Sequence, residues 1–580
     1  MNWKPNISLG METNNLTLTK KSKQMKSNIK LTITTIILVI FSLVIISCRQ
    51  SDDHITDPGT ETGPASVKIN IQGSDYNDGE TSKTAGINGI NSAAVQTEEI
   101  SFNNNNDYKL VATLTPEKSS NPRVKTGITG ISPLPDGTRY RVAVFDSNGN
   151  YITEQIYFTG SESSMPAITG LNGGSTYTFV VYSIGTTTGL PAINFTDPNN
   201  KTLATATLND VSRNVDLMYF SKKVTLTGNN TNYLDVILQH KYSQITVTLD
   251  ASPTQIYSII NVNNVNVTPH YSSATLNLSD GTVTRTTSSS REIAFSGSGK
   301  VLTADPMFFN TDATTSGVLS INSITLQAYL VQVTHQNIKF NNLKITPGVK
   351  YNLKLSFVPN DQYLTYKGYP AARINGVIFM RHNLGANTSA NADIPSQNII
   401  GNYYQWGIKN PVANATTGTG PITGWNNSIE PIANAWNTGT EAIPVKNTAK
   451  DPCPTGWRVI SFREYTILLN SSNYSSIGNV ITTNPGLAAG VFTSKFNSAI
   501  KLTFPYAGLR NGPDGSFVIN GNSSNNIEGQ YWTANGNVDD LGIVHPVFRV
   551  MDINDTGGWI SNGSIRFRGM PVRCVAEYPY

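Results

Sequence analysis

The chain has 580 residues, a formal net charge of +4 and only 14% charged residues, the balance being filled by Asn, Thr, Ser and Gly; an average globular chain carries about 25%. That length exceeds a single core and, at about 100 to 200 residues per domain, predicts three folded units with the composition of an extracellular β protein. Lysine and arginine form no cluster outside the amino-terminal segment, so the electrostatic footprint that nucleic acid requires is absent.

Residues 29–46 are almost wholly apolar or Thr/Ser, with Lys26 and Lys30 in front, which is a charged n-region followed by an h-region. The segment ends in Ile45-Ile46-Ser47-Cys48 and resembles the lipobox of bacterial lipoprotein precursors. The resemblance implies a signal peptide over residues 1–47, with Met25 as an alternative start, and attachment of diacylglycerol and an acyl chain such as palmitate at Cys48. The competing reading is a transmembrane helix, for which about 18 apolar residues suffice. Residues 48–64 read as a lipidated tether, and Asp52-Asp53 resembles the surface-export signal of Bacteroidetes lipoproteins, against the alternative of a solvated linker. The expected location is therefore the outer membrane, lipid-anchored and surface exposed.

Residues 67–71 alternate apolar and polar, the period of a half-buried strand. A stretch from 72 to 107, dense in Asn, Gly and Ser, reads as a long loop. Residues 140–145 and 151–158 flank Asn148-Gly149 and predict a hairpin. Further strands are expected over 176–183, 234–238, 244–249, 323–334 and 351–357. No sustained helical period interrupts them, so this half is all-β.

The phrases LPDGTRYRVAVFDSNGNYI, LNGGSTYTFVVYSIG, LDVILQHKYSQITVTLD and LKITPGVKYNLKLSF resemble successive blocks of the fimbrillin family, the pilus subunits of Bacteroidetes. The resemblance implies two tandem transthyretin-like β-sandwiches, expected at 65–222 and 223–359. It also implies assembly by donor-strand exchange, in which the strand at 67–71 is cut away and a strand from another subunit replaces it. Lys83, in the following loop, is the candidate processing position, with an ordinary exposed lysine as the alternative. His240, in the specific His-Lys-Tyr-Ser run, reads as a packed or hydrogen-bonded structural residue.

Beyond residue 359 the composition changes, and six of the seven tryptophans lie between Trp406 and Trp559. With Cys48 assigned to lipid, Cys453 and Cys574 remain as an even pair in an oxidising compartment, and a disulfide is expected over two separately buried thiols. Two cysteines without a nearby His pair lack the ligands of a structural zinc site. The phrases GVIFMRHNLG, GNYYQWG, DPCPTGWRVISFREYTILL, GQYWTAN and GMPVRCV resemble the FISUMP domain, the Fibrobacter succinogenes major paralogous domain, expected here at 365–580. Ser461 and Glu464 form a capping box opening a helix whose apolar face is Tyr465, Leu468 and Leu469. Short strands and one helix suggest an α+β domain similar to C-type-lectin-like folds. Trp406, Trp457 and Trp532 sit inside the matching blocks and read as core. Trp425, Trp436 and Trp559 lie among Gly, Asn and Pro and are the candidate ligand-binding residues, because loops carry binding while rigid elements carry packing.

Single scattered histidines and the absence of His-Glu-x-x-His and Gly-x-Ser-x-Gly argue against an enzyme, and no cofactor or metal is implied. The expected function is a cell-surface fimbrial tip or accessory subunit acting in adhesion. Its partners are other fimbrial subunits and a glycan or host-surface ligand. The terminal Cys574 leaves no free donor strand, which favours a tip over a stalk position. The alternative is a non-polymerising outer-membrane lipoprotein that binds glycan or host protein.

Overall fold

Short runs of alternating apolar and polar residues, punctuated by Gly, Asn and Asp turns, make strands throughout, and the chain is mostly β. The computed structural model describes residues 61–77, 94–102, 105–117, 131–428, 432, 434–480, 484–519, 526–535 and 547–577; the signal segment, Cys48 and Lys83 lie outside them. All that follows belongs to one unit, Thr62–Tyr580.

A seven-stranded sheet runs in the order Tyr151–Phe158, Arg139–Phe145, Thr176–Ser183, Met218–Thr225, Asn230–His240, Pro64–Asp75 and Ile168–Asn172. Neighbours are antiparallel except for Pro64–Asp75, which lies parallel to Asn230–His240. Val142, Val144 and Phe179 from one end of this sheet share a core with Val67, Ile69 and Ile168 from the other, so the sheet curls over on itself. On the opposite face Phe145, Val180 and Tyr182 pack against Leu208, Val211 and Leu276 of a neighbouring sheet.

Two further sheets face each other as a sandwich. One runs Val301–Thr303, Ser243–Asp250, Lys350–Pro359, Asn105–Pro116, Gln96–Phe102. The other runs Val331–Ile345, Thr314–Ala328, Ser258–Asn277, Ala206–Ser212, Asn194–Phe195, with Val283–Ile293 beside the long Ser258–Asn277 strand. Leu110, Val247 and Leu353 of the first meet Val265, Leu319 and Phe340 of the second in one core.

The expected boundary between residues 222 and 223 is corrected by these pairings. Met218–Thr225 spans it and pairs with Asn230–His240 in the same sheet. Gln96–Phe102, which falls in the stretch expected to be a loop, is a strand that pairs with Asn105–Pro116, and Asn105–Pro116 in turn pairs with Lys350–Pro359 instead of joining the amino-terminal sheet. Alternation marks a strand but leaves its partner to tertiary packing. The strand expected over 323–334 is likewise two, Thr314–Ala328 and Val331–Ile345, joined at Tyr329, whose φ is +55°, and Leu330, which is 77% exposed.

The carboxy-terminal part is α+β. Its central sheet runs Gln362–Tyr366, Tyr369–Ile374, Val377–Met380, Cys574–Ala576, Trp457–Val459, and its α-helix, Phe462–Ser471, carries the expected Ser461/Glu464 capping box. The Cys453–Cys574 disulfide is present. Asn375 donates through Nδ2 to the Pro253 carbonyl at 2.9 Å and to Ser471 Oγ at 2.8 Å, and Gln255 Nε2 donates to the same Oγ at 2.6 Å. Those bonds join this part firmly to the sandwich. Among the described residues no helix is long and apolar enough to cross a membrane.

Candidate functional site

The amino-terminal strand occupies a slot with a partner on each side. Val67, Ile69 and Ile71 stand opposite Asn232, Leu234 and Val236 on the parallel edge, and Ala65 and Val67 opposite Leu171 and Ile168 on the antiparallel edge. Alternation places Ala65, Val67 and Ile69 in the core, each at most 6% exposed, while Lys68 and Asn70 face out. The slot is tied at both ends by backbone. Asn229 N–H donates to the Pro64 carbonyl and Gly173 N–H to that of Gly63, both at 2.7 Å, and Ser74 and Ser132 exchange two bonds of 2.9 Å.

The register shifts between Ile71 and Gly73. Gly73 has a φ of +133°, and a Cβ there would lie 2.3 Å from the Ser132 carbonyl oxygen, so glycine is what lets the chain pass. Past this point Tyr76 stacks on His240 with ring centroids 3.6 Å apart and planes 3° from parallel. His240 Nδ1–H donates to Asp216 Oδ1 at 2.6 Å, which fixes the ring, and Asn77 N–H donates to the Gly348 carbonyl at 2.7 Å. Burial, with Asp216 and then Glu117 adding to it, pushes the Tyr76 phenol up from its ordinary pKa, so the ring stays neutral. His240 is thus a hydrogen-bonded structural residue that also closes the exit of the slot. Sequence reasoning missed Tyr76 and Asp216; a single aromatic in an otherwise polar stretch was the available signal.

The candidate tryptophans separate. Trp436 is 0% exposed and packs on Trp406 with ring centroids 5.5 Å apart, so the expectation that it faces ligand is corrected: a loop residue has been drawn into the core. Trp425 is half-buried; its indole N–H donates to the Gly512 carbonyl at 2.8 Å, and its ring lies where a Cβ on Gly515 would stand 2.3 Å away. Trp559 is 40% exposed on the Gly558–Ile565 strand. The structure does not bring these three together into one face. Trp406, Trp457 and Trp532 are all fully buried, as expected.

Buried charge in this part is structural. Glu464 accepts from Arg458 Nη1 at 2.8 Å and Nη2 at 2.5 Å and from Ser461 N–H and Oγ–H at 2.9 Å each. Desolvation raises its pKa, but the guanidinium and these bonds outweigh that, and the carboxyl is held below its ordinary value. Arg573, 0% exposed, donates to Asn383 Oδ1 and to the carbonyls of Met380, Arg381 and Thr503, tying the entry to the last described strand to two segments. Among the described residues no group of three or more His, Cys, Asp or Glu is placed to hold a metal ion.

No family model matches the chain, and no curated protein matches it. Among solved structures it is similar to a candidate cell adhesion protein of Bacteroides fragilis NCTC 9343, at 13% identity and TM-score 0.28 over 53% of this chain and 96% of that one. It is similar to the fimbrial anchor protein Mfa2 of Porphyromonas gingivalis at 13% identity and TM-score 0.26, over 53% of this chain and 98% of that one. Candidate polysaccharide binding proteins (DUF1812) of Bacteroides thetaiotaomicron match at 12% identity and TM-score 0.24, over 38% of this chain and 83% of that one.

Proposed function

We propose that this chain is a cell-surface fimbrial tip or accessory subunit that acts in adhesion. It is delivered to the outer membrane by a lipid on Cys48 and accepts a donor strand after cleavage at Lys83. The single observation that carries this reading is the amino-terminal strand, which lies between two others and contributes alternating core side chains. The next described strand, Gln96–Phe102, belongs to a different sheet. Cutting between the two frees the first strand and leaves two unpaired edges and an apolar groove, which an extended strand of matching alternation can fill.

The last described strand, Cys574–Ala576, sits between two neighbours and carries the disulfide, so it is not offered as a donor. The FISUMP-like part, residues 365–580, is then the ligand-binding module. The alternative, a lipoprotein that keeps its strand and does not polymerise, draws support from the Tyr76–His240 stack, which holds the strand in place.

The test is to delete residues up to Lys83 and add a synthetic peptide of residues 62–77 or a fimbrial stalk subunit from the same cell. Uptake of either is expected, with hydrogen-exchange protection regained at 168–172 and 230–240. A folded truncation that takes up neither refutes the assembly reading. Amino-terminal sequencing from cells separates the alternatives: a start at Thr84 favours assembly, and a retained acylated Cys48 favours the monomer.

A further inference from the structure

Beside the Tyr369–Ile374 and Val377–Met380 strands lies a cleft of about 350 Å³, within the roughly 300 to 1,000 Å³ of small-molecule sites. Trp425, Trp436 and Trp559 take no part in its lining. Its lining combines the apolar Pro370, Met380 and Leu384 and the ring of Tyr369 with the polar Thr388, Asn402 and Tyr404. None of its lining residues is Asp, Glu, Lys or Arg. His382 borders it as a neutral ring: burial holds its pKa down, and Nε2–H donates to the Ala390 carbonyl at 2.9 Å. Its Nδ1 is buried with no hydrogen-bond partner among the described residues.

The walls are fixed before anything binds. Asn402 N–H donates to the Leu384 carbonyl at 2.9 Å, and Leu384 N–H to that of Val572 at 2.9 Å. Gly385, at φ +81°, lets the Asn402 amide come close, since a Cβ there would lie 2.3 Å from Asn402 Nδ2. From behind, Trp532 donates its indole N–H to the Tyr404 carbonyl at 2.7 Å, and Trp457 meets Tyr369 edge-on at 6.1 Å. The buried tryptophans therefore support this cleft without lining it. Preorganisation of this kind lowers the ordering penalty of binding.

The polar lining groups have bonding capacity left over. Asn402 Nδ2 donates to the Tyr404 hydroxyl oxygen at 3.4 Å. That leaves the Tyr404 hydroxyl proton, Asn402 Oδ1, and the hydroxyls of Tyr369 and Thr388 with no bond recorded to another described residue. A charged ligand finds no counter-charge here, and a wholly apolar one leaves these groups unpaired on desolvation. A pyranose ring offers an apolar C–H face and a rim of hydroxyls that both donate and accept, which matches a lining of this mixed kind. We propose that this cleft is a binding subsite for one or two rings of a neutral saccharide, stacked on Tyr369 and hydrogen-bonded by Asn402, Tyr404 and Thr388. This deepens the reading of the carboxy-terminal part as a ligand-binding module and rests on it.

The experiment titrates the mature chain, carrying Cys48→Ser to omit the lipid, with glucose, galactose, mannose, N-acetylglucosamine and their disaccharides by calorimetry. In parallel, cells displaying the protein are scored for adhesion to host epithelium. Saturable binding of at least one sugar is expected. Asn402→Ala or Tyr369→Ala is expected to weaken it about ten-fold, the loss of one good contact. Thr388→Trp, at an exposed position, is expected to plug the cleft and abolish binding, while Val301→Ala, at an exposed position in the sandwich, is expected to leave it unchanged. Sugar binding that survives all three cleft variants at unchanged Tm overturns the assignment, as does binding only of charged sugars or only of a neutral peptide. Adhesion that persists without any saccharide binding overturns the subsite alone. Absence of both overturns the adhesin reading as well.

Discussion

Replacing Val67 and Ile69 by alanine tests whether the amino-terminal strand is held as an exchangeable part. Val67 is 1% and Ile69 6% exposed, and both point into the core that the curled sheet closes around. The pair of substitutions removes about five methyl or methylene groups, at about 0.8 kcal/mol each, so the strand loses about 4 kcal/mol of burial free energy before any cavity term. If the strand opens locally, that is roughly a thousand-fold increase in amide exchange. Hydrogen exchange read by mass spectrometry is expected to show this increase over 64–75 and along the neighbouring edges at 168–172 and 230–240. Protection over 488–494 and 501–505, in a separate sheet, is expected to stay as it was. Uniform loss of protection across both regions would show that the strand is integral to one cooperative unit, and the exchange argument would fail. Lys68→Ala, at an exposed position on the same strand, is the control and is expected to change nothing.

Three other outcomes are expected. Glu464→Gln leaves the guanidinium of Arg458, 2% exposed, without this carboxylate and is expected to cost about 3 to 5 kcal/mol by chemical denaturation; the Arg458→Met/Glu464→Leu pair is expected to recover most of it. Cys453→Ala with Cys574→Ala opens a loop spanning a sequence separation of 121, and calorimetry is expected to show a loss of up to about 5 kcal/mol by the loop-entropy relation. Burial pushes His270 down to about 3 and His335 to about 4. An unfolded His titrates near 6.5, so the unfolded chain binds more protons below that pH; the stabilising effect of these rings is full above about 6.5 and is lost as pH falls toward 4. Asp451, raised by burial to about 6, runs the opposite way over roughly pH 4 to 6. The diagnostic is therefore the difference in Tm between pH 7.5 and 5, which is expected to shrink in a His270→Leu/His335→Leu variant.

Much of the local structure was written in the sequence. Asn148-Gly149 sets a hairpin turn because Gly149 takes a φ of +83° and Asp146 Oδ1 accepts from the N–H of both Asn148 and Asn150. The capping box works as read because Ser461 and Glu464 satisfy each other's backbone donors. The turn at Tyr329 was not legible, since nothing in Ala328-Tyr329-Leu330 carries a turn preference and the strands on either side impose it. Nor was the pairing of 108–116 with 351–359, which spans over 200 residues and depends on which apolar edge is open. The cleft is not legible in the sequence for a related reason: Tyr369, Thr388, Asn402 and Tyr404 are common residue types that only the fold brings together. Tryptophan is the more conspicuous signal, and Trp436 shows why it misleads, because a loop that folds inward buries an aromatic as well as a strand does.

The amino-terminal strand and the carboxy-terminal part are held by different means, and on the proposed adhesin reading that bears on how the chain would carry load. A single hydrophobic cluster runs from Leu110, Val247 and Leu319 in the sandwich into Ile460, Tyr465, Leu468 and Phe492 of the carboxy-terminal part. With the Asn375, Gln255 and Ser471 bonds across the seam, and Arg463 placed 4.7 Å over the Tyr329 ring, this junction resists bending. The amino-terminal strand belongs to a separate core and is fastened by backbone bonds along both edges and by the Tyr76 stack. Bonds across a strand lie at a steep angle to its axis. A pull along that axis therefore loads the whole row together, whereas a pull from the side would break them in turn. On the proposed reading, a pull along the strand axis would be borne by both edges together until cleavage between the strand and residue 96 removed the link. A donor strand entering the same slot inherits both edges and so the same resistance.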